Sequence, residues 1–132
     1  MKVVINRCFG GFGVSAEAML LLIERKAKGV QTSPLKEWKN KGKTVPFKRG
    51  FKTFSRLFRH YVLVKGDKVY TFSSYSKDRS DPVLVGVVEE LGEEANGECS
   101  ELKVVDVPDD IMWEITDYDG MERVEEVRRS WA

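Results

Sequence analysis

Two stretches combine residue types that could hold an anion. The first is Asn6-Arg7-Cys8-Phe9-Gly10-Gly11-Phe12-Gly13-Val14-Ser15. Gly10, Gly11 and Gly13 let backbone N–H groups approach a ligand closely. A helix beginning at Ser15 would add partial positive charge, and Arg7 a two-pronged donor for phosphate. The spacing is neither a Walker loop nor G-x-G-x-x-G. The same residues also fit a tight turn whose phenylalanines, Phe9 and Phe12, plug a core. The second stretch, residues 47–61, interleaves Phe47, Phe51, Phe54, Phe58 and Tyr61 with Lys48, Arg49, Lys52, Arg56 and Arg59. Aromatic faces stack on bases and guanidiniums clamp phosphates. Equally, the aromatics could be core and the cations a solvated sheet edge. Arg79, beside a helix start in KDRSDP, could reach a ligand or pair with a neighbouring acid.

Other chemistry finds less support. Ser15, Cys8 and His60 supply a nucleophile and a base in name only, so no catalytic residue is assigned and a binding protein is expected rather than an enzyme. Cys8, Cys99 and His60 lack zinc-ligand spacing. The carboxylates Asp109, Asp110, Asp117 and Asp119 fall short of a calcium loop and read as turn formers. No metal and no cofactor is expected. With no secretion signal, both cysteines should be free thiols.

These groups need a scaffold. The 132 residues, 42% hydrophobic and 33% charged, suit one globular domain, 1–132, with a basic, loop-rich insertion at about 29–59. Lys2–Asn6 reads as a strand buried on both faces, because Val3-Val4-Ile5 is a β-branched run. Ser15 caps a helix from Ala16 to about Lys28, stopped by Gly29. Residues 30–50, with two prolines and two glycines, read as a loop. A hairpin follows, Tyr61–Lys65 and Val69–Ser73, turning at Gly66-Asp67. Asp81-Pro82 opens a helix that ends near Gly92. Leu102–Val107 and Met112–Thr116 read as strands, and Asp119-Gly120 as a turn. Met121, Val124, Val127 and Trp131 then mark one side of a final helix. The expected fold is α+β, a small mixed or antiparallel sheet of about 4–5 strands carrying 2–3 helices.

Charge is divided unevenly. Residues 1–68 carry 16 Lys/Arg against 4 Asp/Glu, and residues 69–132 carry 6 against 17, a balance of +12 and −11. Such asymmetry suits an anionic partner, or two halves that attract within a chain or between copies, and a homo-oligomer is expected. No run of about 18 apolar residues is present, so no membrane partner is expected.

The strings KVVINRCFGGFGVS, RSDPVLVGVVEELGEEANG and VPDDIMWEITDYDG, with Trp131, resemble a family of short phage and prophage proteins. The resemblance covers residues 2–20 and 79–131. It implies a protein acting in the cytoplasm of a bacterial host. Small phage proteins of this size include counter-defence factors, among them the Thoeris anti-defence proteins that sequester cyclic ADP-ribose signals. By that analogy the chain would be a sponge for a nucleotide-derived immune signal. Its site would draw on Asn6, Arg7, Phe9, Gly10, Gly11, Phe12, Gly13, Ser15, Arg49, Phe51, Arg56, Arg59 and Arg79. An inhibitor of a host defence protein and a nucleic-acid-binding accessory protein using residues 36–68 are the alternatives.

Overall fold

The computed structural model describes residues 1–9, 11–38, 42–54, 62–73 and 75–127, with Ser76 as backbone alone. Its elements in chain order are β1 (Lys2–Asn6), α1 (Ala16–Glu24), β2 (Val30–Pro34), β3 (Thr44–Pro46), β4 (Lys52–Phe54), β5 (Leu63–Lys65), β6 (Lys68–Phe72), α2 (Pro82–Leu91), β7 (Leu102–Asp106), β8 (Trp113–Tyr118) and β9 (Met121–Glu126). Short 3₁₀ turns occupy Leu35–Trp38, Ser76–Asp78 and Gly92–Ala95. The fold is α+β, and every strand pairing is antiparallel: β1 with β7, a five-stranded sheet in the order β2-β6-β5-β4-β3, and the ribbon β8-β9.

β1 is buried on both faces, as its apolar run demands. Val4 joins the main core with Met19, Leu20 and Leu22 of α1 and Leu84, Val87 and Val88 of α2. Val3 and Ile5 point the other way, where Trp113, Ile115 and Val124 of the ribbon cover them. The five-stranded sheet is two-faced as well. Leu63, Tyr70 and Phe72 turn toward α1, while Phe54, Val64 and Val69 are covered by Leu35 and Trp38.

The helix ends follow their caps. Ser15 Oγ accepts from Ala18 N–H, and Asp81 accepts from Val83 N–H ahead of Pro82. Gly92, with φ +58, closes α2. α1 stops earlier than its pattern suggests, at Glu24 with Arg25 as cap. Gly29 is therefore not its stop. A Cβ there would lie 2.7 Å from the Phe72 ring, so glycine serves close approach between chain and sheet.

Two further expectations fail. Residues 30–50 hold β2 and β3, whose prolines, Pro34 and Pro46, are the last residues of strands at the two sheet edges, where a missing N–H is tolerated. The final helix is instead strand β9. Asp119 and Gly120 adopt left-handed φ of 53° and 90°, giving the two-residue turn that pairs Tyr118 with Met121 and the rest of the ribbon behind it. Trp131 lies outside the described residues.

Three ion pairs join sequence-distant parts at the surface: Lys2–Glu89 (3.0 Å), Arg25–Glu90 (2.8 Å) and the Met1 ammonium–Asp109 (2.6 Å). Glu89 raises the Lys2 pKa, chiefly through its hydrogen bond. Each of these pairs joins the basic half to the acidic half within one chain. No helix among the described residues is long and apolar enough to cross a membrane.

Candidate functional site

The glycine turn does not form an open cradle at the start of α1. Ser15 N–H donates to Ala95 O (2.8 Å), Ser15 Oγ donates to Glu94 O (2.5 Å), and Ser15 is buried. The helix N-terminus is thus capped by its own serine and covered by residues 94–95. Gly13 is buried as well, and its carbonyl accepts from Ser100 Oγ (2.6 Å) and Gly97 N–H (3.2 Å). Gly11 has φ +96, which glycine alone adopts without strain. Gly10 lies outside the described residues. Phe9 is exposed rather than plugging a core.

Asn6 and Arg79 prove to be buried connectors. Asn6 is fully buried. Its side chain donates to Cys8 O and Gly120 O, both 2.7 Å, and accepts from Glu101 N–H at 2.9 Å and Cys8 N–H at 3.2 Å. Arg79 is 2% exposed and meets Glu122 of β9 with two parallel bonds, Nη1–Oε1 2.7 Å and Nη2–Oε2 2.8 Å. Its guanidinium carbon lies 3.6 Å from the centroid of the Phe12 ring, and Nη1 also reaches Val4 O. Glu122 Oε1 further accepts from Asn6 N–H at 2.8 Å. Of the two options open for Arg79, pairing with an acid is the one realised. Glu122 was missed because a helical reading of residues 121–131 makes it a solvated charge. Only the Asp-Gly turn signal pointed to the strand that buries it.

The basic aromatic stretch is divided too. Phe51 is buried, edge-on to Tyr70 at 5.8 Å, and Phe54 is buried beneath Trp38. Arg49 pairs with Glu24 of α1, and Lys48 approaches Glu17. These contacts hold the 47–51 turn against α1. Arg56, Phe58, Arg59, His60 and Tyr61 lie outside the described residues.

A groove lies on the ribbon side of β1. Arg7, just beyond β1, and Arg123 of β9 both line a hollow of about 540 Å³ together with Thr116, Tyr118 and Met121. Both also line an adjoining hollow of about 310 Å³, walled by Ile5, Val105, Val107, Pro108, Ile111 and Val124 together with the carboxylate residues Asp106 and Glu126. Arg7 and Arg123 are therefore shared by the two hollows. No known protein family, curated protein or solved structure matches this chain.

Register explains its composition. Thr116 and Arg123 are cross-strand partners, as are Tyr118 and Met121, so one face of the ribbon carries all four. The opposite face carries Ile115 and Val124 into the core. Two carboxylates also line the larger hollow, and both are engaged: Glu122 by Arg79, and Asp117 by Gly120 N–H at 2.9 Å. Glu125 meets Arg123 Nε at 2.7 Å. Among the described residues, no carboxylate pairs with Arg7. Thr116 Oγ1 is buried with no hydrogen-bond partner, and Tyr118 is 79% exposed.

Among the described residues, no three His, Cys, Asp or Glu side chains are placed to share a metal ion. Asp109 holds the Met1 ammonium, and Cys8 and Cys99 are free.

Proposed function

We propose that the protein binds a small phosphorylated ligand of nucleotide type in the groove between β1 and the β8-β9 ribbon. One observation carries this reading: Arg7 and Arg123 line both hollows, and Arg7 has no carboxylate partner among the described residues. An anion lodged between them would gain charge-assisted hydrogen bonds. Thr116 Oγ1 supplies a further donor whose present state is costly, since a buried, unmade hydrogen bond costs about 1–3 kcal/mol. The apolar part of the smaller hollow's wall, Ile5, Val105, Val107 and Val124, suits a flat or hydrophobic moiety, and the exposed Tyr118 ring offers a face for a base. Both volumes fall in the range of roughly 300–1,000 Å³ usual for small-molecule sites.

The resemblance to short phage proteins favours, within that ligand class, a nucleotide-derived immune signal bound without turnover in a bacterial host. Arg7, which lines both hollows, is the residue that this groove shares with the site expected around the glycine turn. Calorimetric titration with inorganic phosphate and with linear and cyclic nucleotides tests the reading. At least one phosphate-bearing compound should bind the wild type. Arg7→Gln and Arg123→Gln should each weaken it about tenfold or more, the loss of one charge-assisted hydrogen bond. Arg7 is exposed, so its substitution should leave the melting temperature of the free protein unchanged. No binding by any of these compounds, or equal binding by wild type and variants, overturns it.

A further inference from the structure

We propose that Asn96-Gly97 is a deamidation site that the fold holds shut, with Ser100 as the residue that holds it. The site draws on no residue of the Arg7–Arg123 groove. The sequence has three asparagines, Asn6, Asn40 and Asn96, and only Asn96 is followed by glycine. Asparagine is a thermolabile residue. Before glycine it is most open to attack, because no side chain shields the next amide nitrogen and the backbone there turns freely. In the reaction the Gly97 nitrogen attacks the Asn96 side-chain carbonyl carbon. A C–N bond forms, the nitrogen loses its proton, and ammonia leaves. Water then opens the resulting succinimide at either carbonyl, giving aspartate or isoaspartate. The net change is one water consumed and one ammonia released.

Each group in that reaction is engaged elsewhere. The Gly97 N–H donates to Ser100 Oγ at 2.7 Å and to Gly13 O at 3.2 Å. The Asn96 side-chain oxygen accepts from Leu102 N–H at 2.8 Å. Asn96 itself is extended, with φ −68° and ψ 135°, and bridges to Val14. Ring closure requires a rotation about ψ that brings the Gly97 nitrogen round to the side chain. That rotation breaks both bonds of the Gly97 N–H. Ser100 is fixed in turn, because its Oγ donates to Gly13 O at 2.6 Å.

Packing accounts for both members of the pair. A Cβ at position 97 would lie 3.1 Å from Gly13 C and 3.2 Å from both Gly13 O and Ser100 Oγ, so backbone crowds any side chain there. Asn96 supplies the acceptor for Leu102 N–H at the start of β7. The two products differ for that reason. Aspartate keeps the acceptor. Isoaspartate adds a methylene to the main chain, next to the Glu94 and Ala95 carbonyls that hold Ser15 at the start of α1.

The test incubates the full chain in mildly alkaline buffer and then follows its tryptic peptide 80–103 by mass gain and isoaspartate content. The native chain should react about tenfold or more slower than the chain unfolded in urea, since two hydrogen bonds must open first. Ser100→Ala should react about two- to tenfold faster than wild type, the worth of one hydrogen bond. Gly29→Ala, which perturbs the distant Phe72 ring, should react as wild type does. The proposal is overturned by equal rates in native and unfolded chain, by equal rates in Ser100→Ala and wild type, or by no reaction in the unfolded chain. An equal acceleration in Gly29→Ala also overturns it, because global unfolding would then be the route. If Ser100→Ala fails to fold, hydrogen exchange of the Gly97 amide in wild type decides. Exchange as slow as in the β1-β7 ladder supports the proposal, and exchange at the rate of an exposed amide overturns it.

Discussion

Arg79 and Glu122 form a buried ion pair joined by two parallel hydrogen bonds. A buried ion pair is not in itself a large source of stability, because desolvation offsets attraction. Breaking it is different. Arg79→Met would leave the Glu122 carboxylate buried with only the Asn6 N–H and the β1 side of the core around it. Removing one partner of such a pair costs about 3–5 kcal/mol. Urea denaturation should show a loss of that size for Arg79→Met, and a much smaller one for Arg79→Met/Glu122→Leu. Equal losses in the single and double variants would mean that the pair does not act as a unit. In the sequence Arg79 was visible as a residue with two options, and its setting beside a helix start was legible. What it would meet was not, since its partner is 43 positions away on a strand whose apolar residues also fit a helix. Asn6 posed the same difficulty. Its partners are mostly backbone groups of Cys8, Glu101 and Gly120, which no side-chain pattern announces.

At the scale of elements, local chemistry was readable wherever one residue dictates one conformation. Ser15 and Asp81 start their helices, Gly92 ends one, and Gly66-Asp67 and Asp119-Gly120 turn two hairpins. The strands β2 and β3 were hidden because their residues are mostly exposed and polar, and only pairing with β6 and β4 makes them strands. The ribbon was misread for another reason. Met121, Val124 and Val127 recur every third residue, but in a strand Val124 alone of the three is placed among the residues that cover Val3 and Ile5. Gly29 yields a prediction at this scale. Gly29→Ala puts a methyl group within 2.8 Å of two Phe72 ring atoms and 3.2 Å from Asp78 Cβ. Overpacking of this kind costs about 1–3 kcal/mol. Thermal unfolding of Gly29→Ala should show a lowered midpoint, and Gly29→Ala/Phe72→Leu should recover part of it. An unchanged midpoint in Gly29→Ala would mean that the Phe72 ring moves aside freely.

For the whole molecule, the uneven charge of the two halves is partly resolved inside one chain, by Lys2–Glu89 and Arg25–Glu90. Arg7, beside the ribbon, is among the described cations that no carboxylate pairs. The chain also closes late. β1 pairs with β7 from Lys2↔Asp106 to Asn6↔Leu102, and its other face is covered by β8 and β9. A fragment of residues 1–100 therefore lacks every strand that pairs with β1 or covers its second face. Circular dichroism and limited proteolysis should show that fragment unfolded or rapidly cleaved, and the full chain resistant. A stable fragment would place the folding unit within the first 100 residues. The same closure has a consequence in time. At about 5–20 residues per second on the ribosome, β1 waits roughly 5–20 seconds for β7 to be made. Throughout that interval Val3, Val4 and Ile5 have no strand to join, in a segment rich in residues that favour intermolecular pairing. Yield in cells should thus respond to translation speed and to chaperones that hold a nascent N-terminus, even where the finished protein is stable.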